Sequence, residues 1–232
     1  MNQTVNKALA GIFDPFLNAS GEQPFVAGQL GQSLDGRIAT VSGDAADIGG
    51  PAGLDHLHRL RAHVDAVVVG AATVVADDPR LNVRRVEGKN PARVVIDPRG
   101  RIAGGGRWLA ADGAPRILVS AQDKAPAGCD ALIRLERRGP GFAPADIVEA
   151  LFARGMKRVL IEGGAATLAR FIEHKQLDRL HVVVSPLIIG SGKSAFELPV
   201  IATLSDAIRP ATRIFLLGGG EVLFDCDMRA AG

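Results

Sequence analysis

The sequence predicts an α/β fold, a mostly parallel central sheet with an antiparallel hairpin at its C-terminal edge. Three observations predict it. Short apolar runs of strand length alternate with segments of helical periodicity, the pattern of a parallel sheet covered on both faces. Two of these runs, Val67-Val68-Val69 and Val159-Leu160-Ile161, lead into the same tetrapeptide, Gly-Ala-Ala-Thr, at residues 70–73 and 164–167. The last two runs flank Gly218-Gly219-Gly220, which is hairpin chemistry.

Residues 1–23 carry no sustained periodicity and read as an arm, leaving residues 24–232 as a single domain with order beginning near Pro24. Strands are expected at 25–30, 66–70, 93–97, 116–120, 158–162, 180–185, 213–217 and 222–225. Pro51 opens an expected helix to residue 64 with Leu54, Leu57 and Leu60 on one side, and similar apolar stripes mark 144–154 and 165–175. The stretch 100–113, rich in Gly and Ala, reads as a surface loop.

Composition narrows the function classes. A chain of 232 residues, 47% hydrophobic and 22% charged, buries a full core. Its formal charge of +2 is dispersed, with no basic block interleaved with aromatics, so no nucleic-acid surface is expected. The apolar stretch 8–17 is interrupted by Asp14-Pro15 and is too short to span a bilayer, so a soluble cytoplasmic protein is expected. Cys129 and Cys226 lie far apart without a C-x-x-C and read as two unpaired buried thiols. Of His56, His58 and His63, the first pair lacks the spacing that puts two ligands on one helical face, so surface histidines are expected and no metal.

The doubled loop carries the chemistry. Both copies leave strand ends, the ligand edge of a parallel sheet, and their small residues admit a ligand close to the backbone. A helix beginning at Ala165 turns free N–H groups and its positive dipole end toward an occupant such as phosphate. Either loop alone also describes an ordinary strand-to-helix turn; together they favour a nucleotide pocket. Gly190-Ser191-Gly192-Lys193-Ser194 imitates a P-loop, but Leu187 stands where the first glycine belongs and Pro199 cuts short the helix that must follow. Glu162 ends a buried strand, so its carboxylate needs an internal donor or a ligand.

Three stretches then combine: Ser33-Leu34-Asp35-Gly36-Arg37-Ile38-Ala39, Arg59-Leu60-Arg61, and the continuous string 67–84. With Asp77-Asp78-Pro79-Arg80-Leu81 and Glu162-Gly163-Gly164 as its most specific parts, the chain resembles, over residues 25–225, the pyrimidine reductases of riboflavin biosynthesis. That domain also forms the C-terminal half of bifunctional deaminase-reductases. The resemblance implies a three-layer dihydrofolate-reductase-like fold, a homodimer, and an enzyme that uses NADPH to reduce the ribosyl group of a phosphoribosylamino-pyrimidine to ribityl. These residues hold no His-x-Glu with Pro-Cys-x-x-Cys, so the stand-alone form is expected.

By the same resemblance, Thr73 and Asp77 line the nicotinamide cofactor. Gly163, Gly164, Ala165, Ala166, Thr167 and Leu168, continuing to Arg170, wrap its pyrophosphate. Arg61, Leu81, Arg84 and Glu162 meet the substrate, where a guanidinium fork suits a phosphate and a carboxylate suits pyrimidine N–H groups. Without it, Arg61 reads as a solvated helix charge and Arg84 as a loop charge. Asp77 and Glu162 are the catalytic candidates. Asp77 would serve the imine nitrogen if its like-charged neighbour Asp78 keeps it protonated, although Asp-Asp-Pro also makes turns. Ala45 and Asp47 stand where many relatives carry a serine and a tryptophan or arginine, which removes a phosphate contact and adds a repelling charge. Pro98 replaces a serine of some relatives, leaving Arg99 or Arg101 for the 2′-phosphate. Two further readings stay open: a reductase of another pterin-like or sugar-amine substrate, and a catalytically silent nucleotide-binding relative.

Overall fold

The protein is described by a computed structural model covering residues 11–45 and 48–230; residues 1–10 of the expected arm and Asp47 lie outside the described residues. In chain order the elements are α1 (Asp14–Leu17), β1 (Phe25–Ser33), β2 (Arg37–Thr40), α2 (Pro51–Ala62), β3 (Ala66–Gly70), α3 (Ala71–Asp77) and β4 (Ala92–Asp97). They continue with β5 (Arg116–Ser120), β6 (Ala131–Arg134), α4 (Pro144–Phe152), β7 (Arg158–Glu162), α5 (Ala165–Glu173), β8 (Arg179–Ser185), β9 (Gly192–Ser194), β10 (Ala211–Leu216) and β11 (Val222–Asp227). Nine strands form one sheet in the order β10-β11-β8-β1-β7-β3-β4-β5-β6, and β2 pairs with β9 in a separate two-stranded flap. From β8 to β6 all neighbours are parallel, whereas β11 and β10 add antiparallel, as the expected hairpin edge.

The valine run of β3 shows why three layers form. Side chains alternate across a strand, so Val68 enters the core under α4 and α5, while Val67 and Val69 enter the core under α2 with Leu60 and Trp108. A strand apolar on both faces requires helices on both. Pro51 and Pro144 open α2 and α4, where a missing N–H costs no intrahelical bond.

Several expectations change. The arm is part of the domain from residue 11 onward, because Ile12 and Phe16 are fully buried. The buried face of α2 carries Gly53, His56, His58, Leu60 and Arg61, with Leu54 and Leu57 only half-buried, so polar side chains replace the predicted leucine stripe. The 100–113 loop sends Trp108, the only tryptophan, wholly into the core. Strands β2, β6 and β9 fall outside the predicted strands, being only three or four residues long, and only β6 has an apolar run, Ala131-Leu132-Ile133.

Candidate active site

Neighbouring β3 and β7 pair Val68 with Ile161, so the two Gly-Ala-Ala-Thr loops leave the sheet side by side. They interlock. A Cβ on Gly70 would lie 2.6 Å from Thr167 Oγ1, and one on Gly164 would lie 2.9 Å from Thr73 Oγ1. Each loop's glycine thus makes room for the other's threonine, and Gly164 also takes the left-handed φ of 47° that starts α5. No side chain caps this helix. Thr167 and Leu168 donate to the Gly164 carbonyl, while the N–H groups of Ala165 and Ala166 have no acceptor within the helix and face outward at its positive end.

Beside them lies a cavity of about 180 Å³ walled by Gly70, Ala166, Thr167, Arg170, Arg101 and Phe142 among others, with no carboxylate in its wall. Arg170 donates to the Phe142 carbonyl at 3.0 Å. Arg101 is exposed and unpartnered among the described residues. Two arginines in an otherwise largely apolar wall, with no carboxylate beside them, suit an anionic group such as a phosphate. Arg99 does not reach the cavity. Its Phe142 wall comes from an irregular loop that carries no sequence signal.

On the other side of the loops, Glu162 finds its donor inside the protein. Arg61 Nε and Nη2 bond its two oxygens at 2.7 and 2.6 Å, and Arg61 Nη1 donates to the Asn82 carbonyl at 3.0 Å. Both side chains are buried. The fork expected to receive a phosphate is therefore closed on a carboxylate, and Arg61 is no solvated helix charge. Each Glu162 oxygen keeps lone-pair capacity for a second donor.

Arg84 stands exposed, its guanidinium held among the described residues only by Asn82 Oδ1 at 3.2 Å, and its backbone N–H donates to His58 Nδ1 at 3.1 Å. Partial burial first, and then the charges of Arg61, Arg80, Arg85 and Arg107, lower its pKa from the ordinary value. Burial first, and then the charges of Arg61, Arg84 and Arg85, bring His58 down to about 4, so the ring stays neutral and accepts. This concentration of positive charge suits a phosphate. Leu81 is 2% exposed at a φ of 55° and packs with Trp108 and Leu60, so its side chain fixes the turn that presents Arg80 and Arg84.

Asp77 ends α3 with an exposed carboxylate. Asp78 caps the helix in the left-handed conformation, its carboxylate bound by the Arg107 N–H at 2.6 Å and by Arg107 Nε at 3.2 Å. The expected pair of opposed carboxylates is thereby broken up, because Asp78 has a cation of its own. Arg107, 29 residues on from Asp78 in sequence, gave no sign of this role.

The remaining candidates lie apart. The P-loop imitation forms β9 and its approach, where Asp35 accepts the N–H groups of Ile189 and Gly190 at 3.1 and 2.7 Å. The Ser33 hydroxyl first, with these N–H groups, brings Asp35 down to about 2. Ala45 is exposed beside that flap. His56 and His58 are buried rather than superficial, and His56 Nε2 lies 2.9 Å from His181 Nδ1. Cys226 is buried as expected, but Cys129 is only half-buried.

The RibD C-terminal domain family matches residues 24–223. The 2,5-diamino-6-ribosylamino-4(3H)-pyrimidinone 5′-phosphate reductase of Methanothermobacter thermautotrophicus is 34% identical over 200 residues, covering 81% of this chain and 90% of that protein. Riboflavin biosynthesis protein RibD of Aquifex aeolicus is 30% identical over 194 residues, covering 81% of this chain and 53% of that protein, so the chain spans about half of this relative. Among solved structures, the diaminohydroxyphosphoribosylaminopyrimidine deaminase/5-amino-6-(5-phosphoribosylamino)uracil reductase of Thermotoga maritima superposes with a TM-score of 0.75 at 27% identity, over 95% of this chain and 60% of that one.

Proposed function

The chain belongs to the RibD C-terminal domain family, and from that membership we propose that it is an NADPH-dependent reductase of riboflavin biosynthesis. Its reaction converts the ribosyl group of a 5-amino-6-(phosphoribosylamino)pyrimidine to ribityl. The observation that carries this reading is the similarity along 90% of a reductase with one named activity.

When bound, NADPH supplies the hydride that reduces the open-chain imine carbon. The N–H groups of Ala165 and Ala166, with Gly163, Gly164, Thr167 and Arg170, would hold its pyrophosphate, whereas Leu168, fully buried with its N–H on the Gly164 carbonyl, only anchors the helix start, and Arg101 rather than Arg99 would meet the 2′-phosphate. Thr73 and Asp77 border the nicotinamide. Arg84 and Arg80 hold the substrate phosphate in place of the engaged Arg61. Glu162, kept in place by Arg61, accepts pyrimidine N–H groups through its remaining lone pairs, and the turn at Leu81 sets the distance. Asp77, exposed and without a side-chain partner among the described residues, passes a proton taken from solvent to the imine nitrogen.

The test is the loss of NADPH absorbance with the deaminated phosphoribosylamino-uracil, its undeaminated analogue and an NADH control. Turnover of one pyrimidine supports the reading and orders deamination and reduction. Tight NADPH binding without turnover of either points to another substrate or a silent relative.

We also propose a cytoplasmic homodimer. No helix among the described residues is long and apolar enough to cross a membrane. The antiparallel end offers a face for a second copy: Ile214, Phe224 and Val182 form one cross-strand row, and Leu216, Val222 and Val184 the next. Ile214 and Leu216, at the edge, are 62% and 73% exposed, a contiguous apolar surface of the kind that marks interfaces.

A further inference from the structure

We propose that Arg107 is a positioning residue of the reductase site, holding the carboxyl end of α3 so that Asp77 stands at the cofactor; this rests on the reading of Asp77 given above. Helix α3 has seven residues and no basic side chain in its last turn. Its final carbonyls are met from outside. Arg107 Nη2 donates to the Asp77 carbonyl at 3.0 Å and Nε to the Asp78 carbonyl at 2.6 Å, while the Arg107 N–H takes the Asp78 carboxylate. A cation at a helix C-terminus also complements the dipole. These three contacts, with that of Arg107 Nε to Asp78 Oδ2 at 3.2 Å, hold Asp78 at a φ of 39°, a conformation that a non-glycine residue keeps only where its surroundings fix it.

The turn that bears Arg107 is itself rigid. Next in sequence, Trp108 is fully buried, and the buried Arg93 donates to the carbonyls of Trp108 and Ala110 at 2.9 and 2.8 Å. Gly106, at a φ of 96°, lets the backbone pass so close that a Cβ there would stand 3.0 Å from Asp78 Oδ1. Upstream, Pro98 and Arg101 of the same segment line the nucleotide cavity. One segment therefore touches the cavity at one end and fixes Asp77 at the other. Because Arg107 and Asp78 are 53% and 48% exposed, their ion pair adds little to stability as such. Its consequence is the geometry of the helix end.

The experiment is a double-mutant cycle of Arg107→Ala and Asp77→Asn in the full chain. It reads NADPH affinity by calorimetry, kcat and KM separately, and the thermal midpoint, with Arg107→Lys as the charge-retaining control. Misplacing a contact by an ångström costs up to about 100-fold in rate. Arg107→Ala is expected to weaken NADPH binding and to lower kcat/KM by about 10-fold or more on that scale, with the thermal midpoint unmoved. The double variant should be no worse than Asp77→Asn alone, and Arg107→Lys, which cannot bridge both carbonyls, should remain impaired. Additive losses, full rescue by Lys, or an inert Arg107→Ala beside an impaired Asp77→Asn would each overturn the positioning role and leave the Asp77 reading intact. An inert Asp77→Asn would overturn both.

Discussion

The middle of the sheet and its antiparallel end place their charges oppositely. Through the parallel part, β3 and β7 are apolar on both faces, and the acidic side chain appears at the carboxyl edge, as Glu162. At the antiparallel end the charges sit within the strands and point inward: Arg179 and His181 of β8 and Asp225 of β11 are 7%, 0% and 0% exposed, while Ile214 and Leu216 face outward. The contrast separates two uses of a buried charge. Glu162 lies where the sheet opens to a ligand, so its pairing with Arg61 serves a site. Asp225, bound by Arg213 at 2.7 Å and flanked by Arg179 and His181, is sealed and serves only the packing.

Glu162→Gln and Asp225→Asn test this most severely. Each leaves buried guanidinium charge unbalanced, and breaking a buried pair costs about 3–5 kcal/mol, to be measured by urea denaturation. Their activities should diverge. Glu162→Gln should lose about 100-fold or more in kcat/KM where a group binding the reacting substrate is removed, whereas Asp225→Asn should keep the specific activity of its folded fraction. Equal activity losses would erase the distinction between site and packing.

Acid should act through the antiparallel end first. Burial, ahead of the charges of His181 and Arg59 and against that of Asp225, pushes His56 well below its ordinary 6.5. Burial likewise lowers His181, against its bond to Asp225 and with Arg179 and Arg213 adding to the shift. In the unfolded chain both rings protonate near 6.5, and in the fold they resist. The unfolded state therefore binds more protons as pH falls below 6.5, and stability declines through that window by about 1.4 kcal/mol per pH unit per ring. Thermal midpoints at pH 7.5 and 5.5 should show it, and His56→Gln should flatten the slope; an unchanged slope removes His56 from the account. A smaller effect is expected at Glu221, whose carboxylate accepts the N–H groups of Gly50 and Gly53 at 2.8 and 2.9 Å and so caps α2 from the hairpin. Glu221→Ala should cost about 1–3 kcal/mol, read as a lower urea midpoint at constant slope.

The parallel half was far more legible in sequence than the antiparallel half, for a physical reason. A strand buried on both faces must be an unbroken apolar run, and the runs at 66–70, 116–120 and 158–162 have the bounds that the structure gives. The doubled Gly-Ala-Ala-Thr is local and repeats, so its meeting at one edge followed from topology. What stayed hidden depends on distant partners. Nothing near Arg61 announces that Glu162, 101 residues on, will close its fork, and nothing near His56 announces His181. Period alone assigned Leu54 and Leu57 to the core, but a helix turns toward whatever pairs with it, and His56 and Arg61 have the stronger claim. The flap strands β2 and β9 are held by Asp35 and carry no periodicity of their own.

The smallest effect on the folded chain should come from the outward face of the same antiparallel end, and it bears on why apolar side chains stand there. Leu216 is 73% exposed on the edge strand and contributes little to the core beneath, so Leu216→Asp should change the stability of the folded monomer by no more than about 0.5 kcal/mol. If a second copy covers the rows of Ile214 and Leu216, the substitution buries a charge at the interface, and the solution mass measured by light scattering should fall from dimer to monomer while NADPH binding persists. A dimer that survives both Leu216→Asp and Ile214→Asp assembles elsewhere, and the exposed apolar rows then need another explanation. A monomer in the unmodified chain would instead make this face an unprotected edge, with aggregation rather than assembly as the property that Asp relieves.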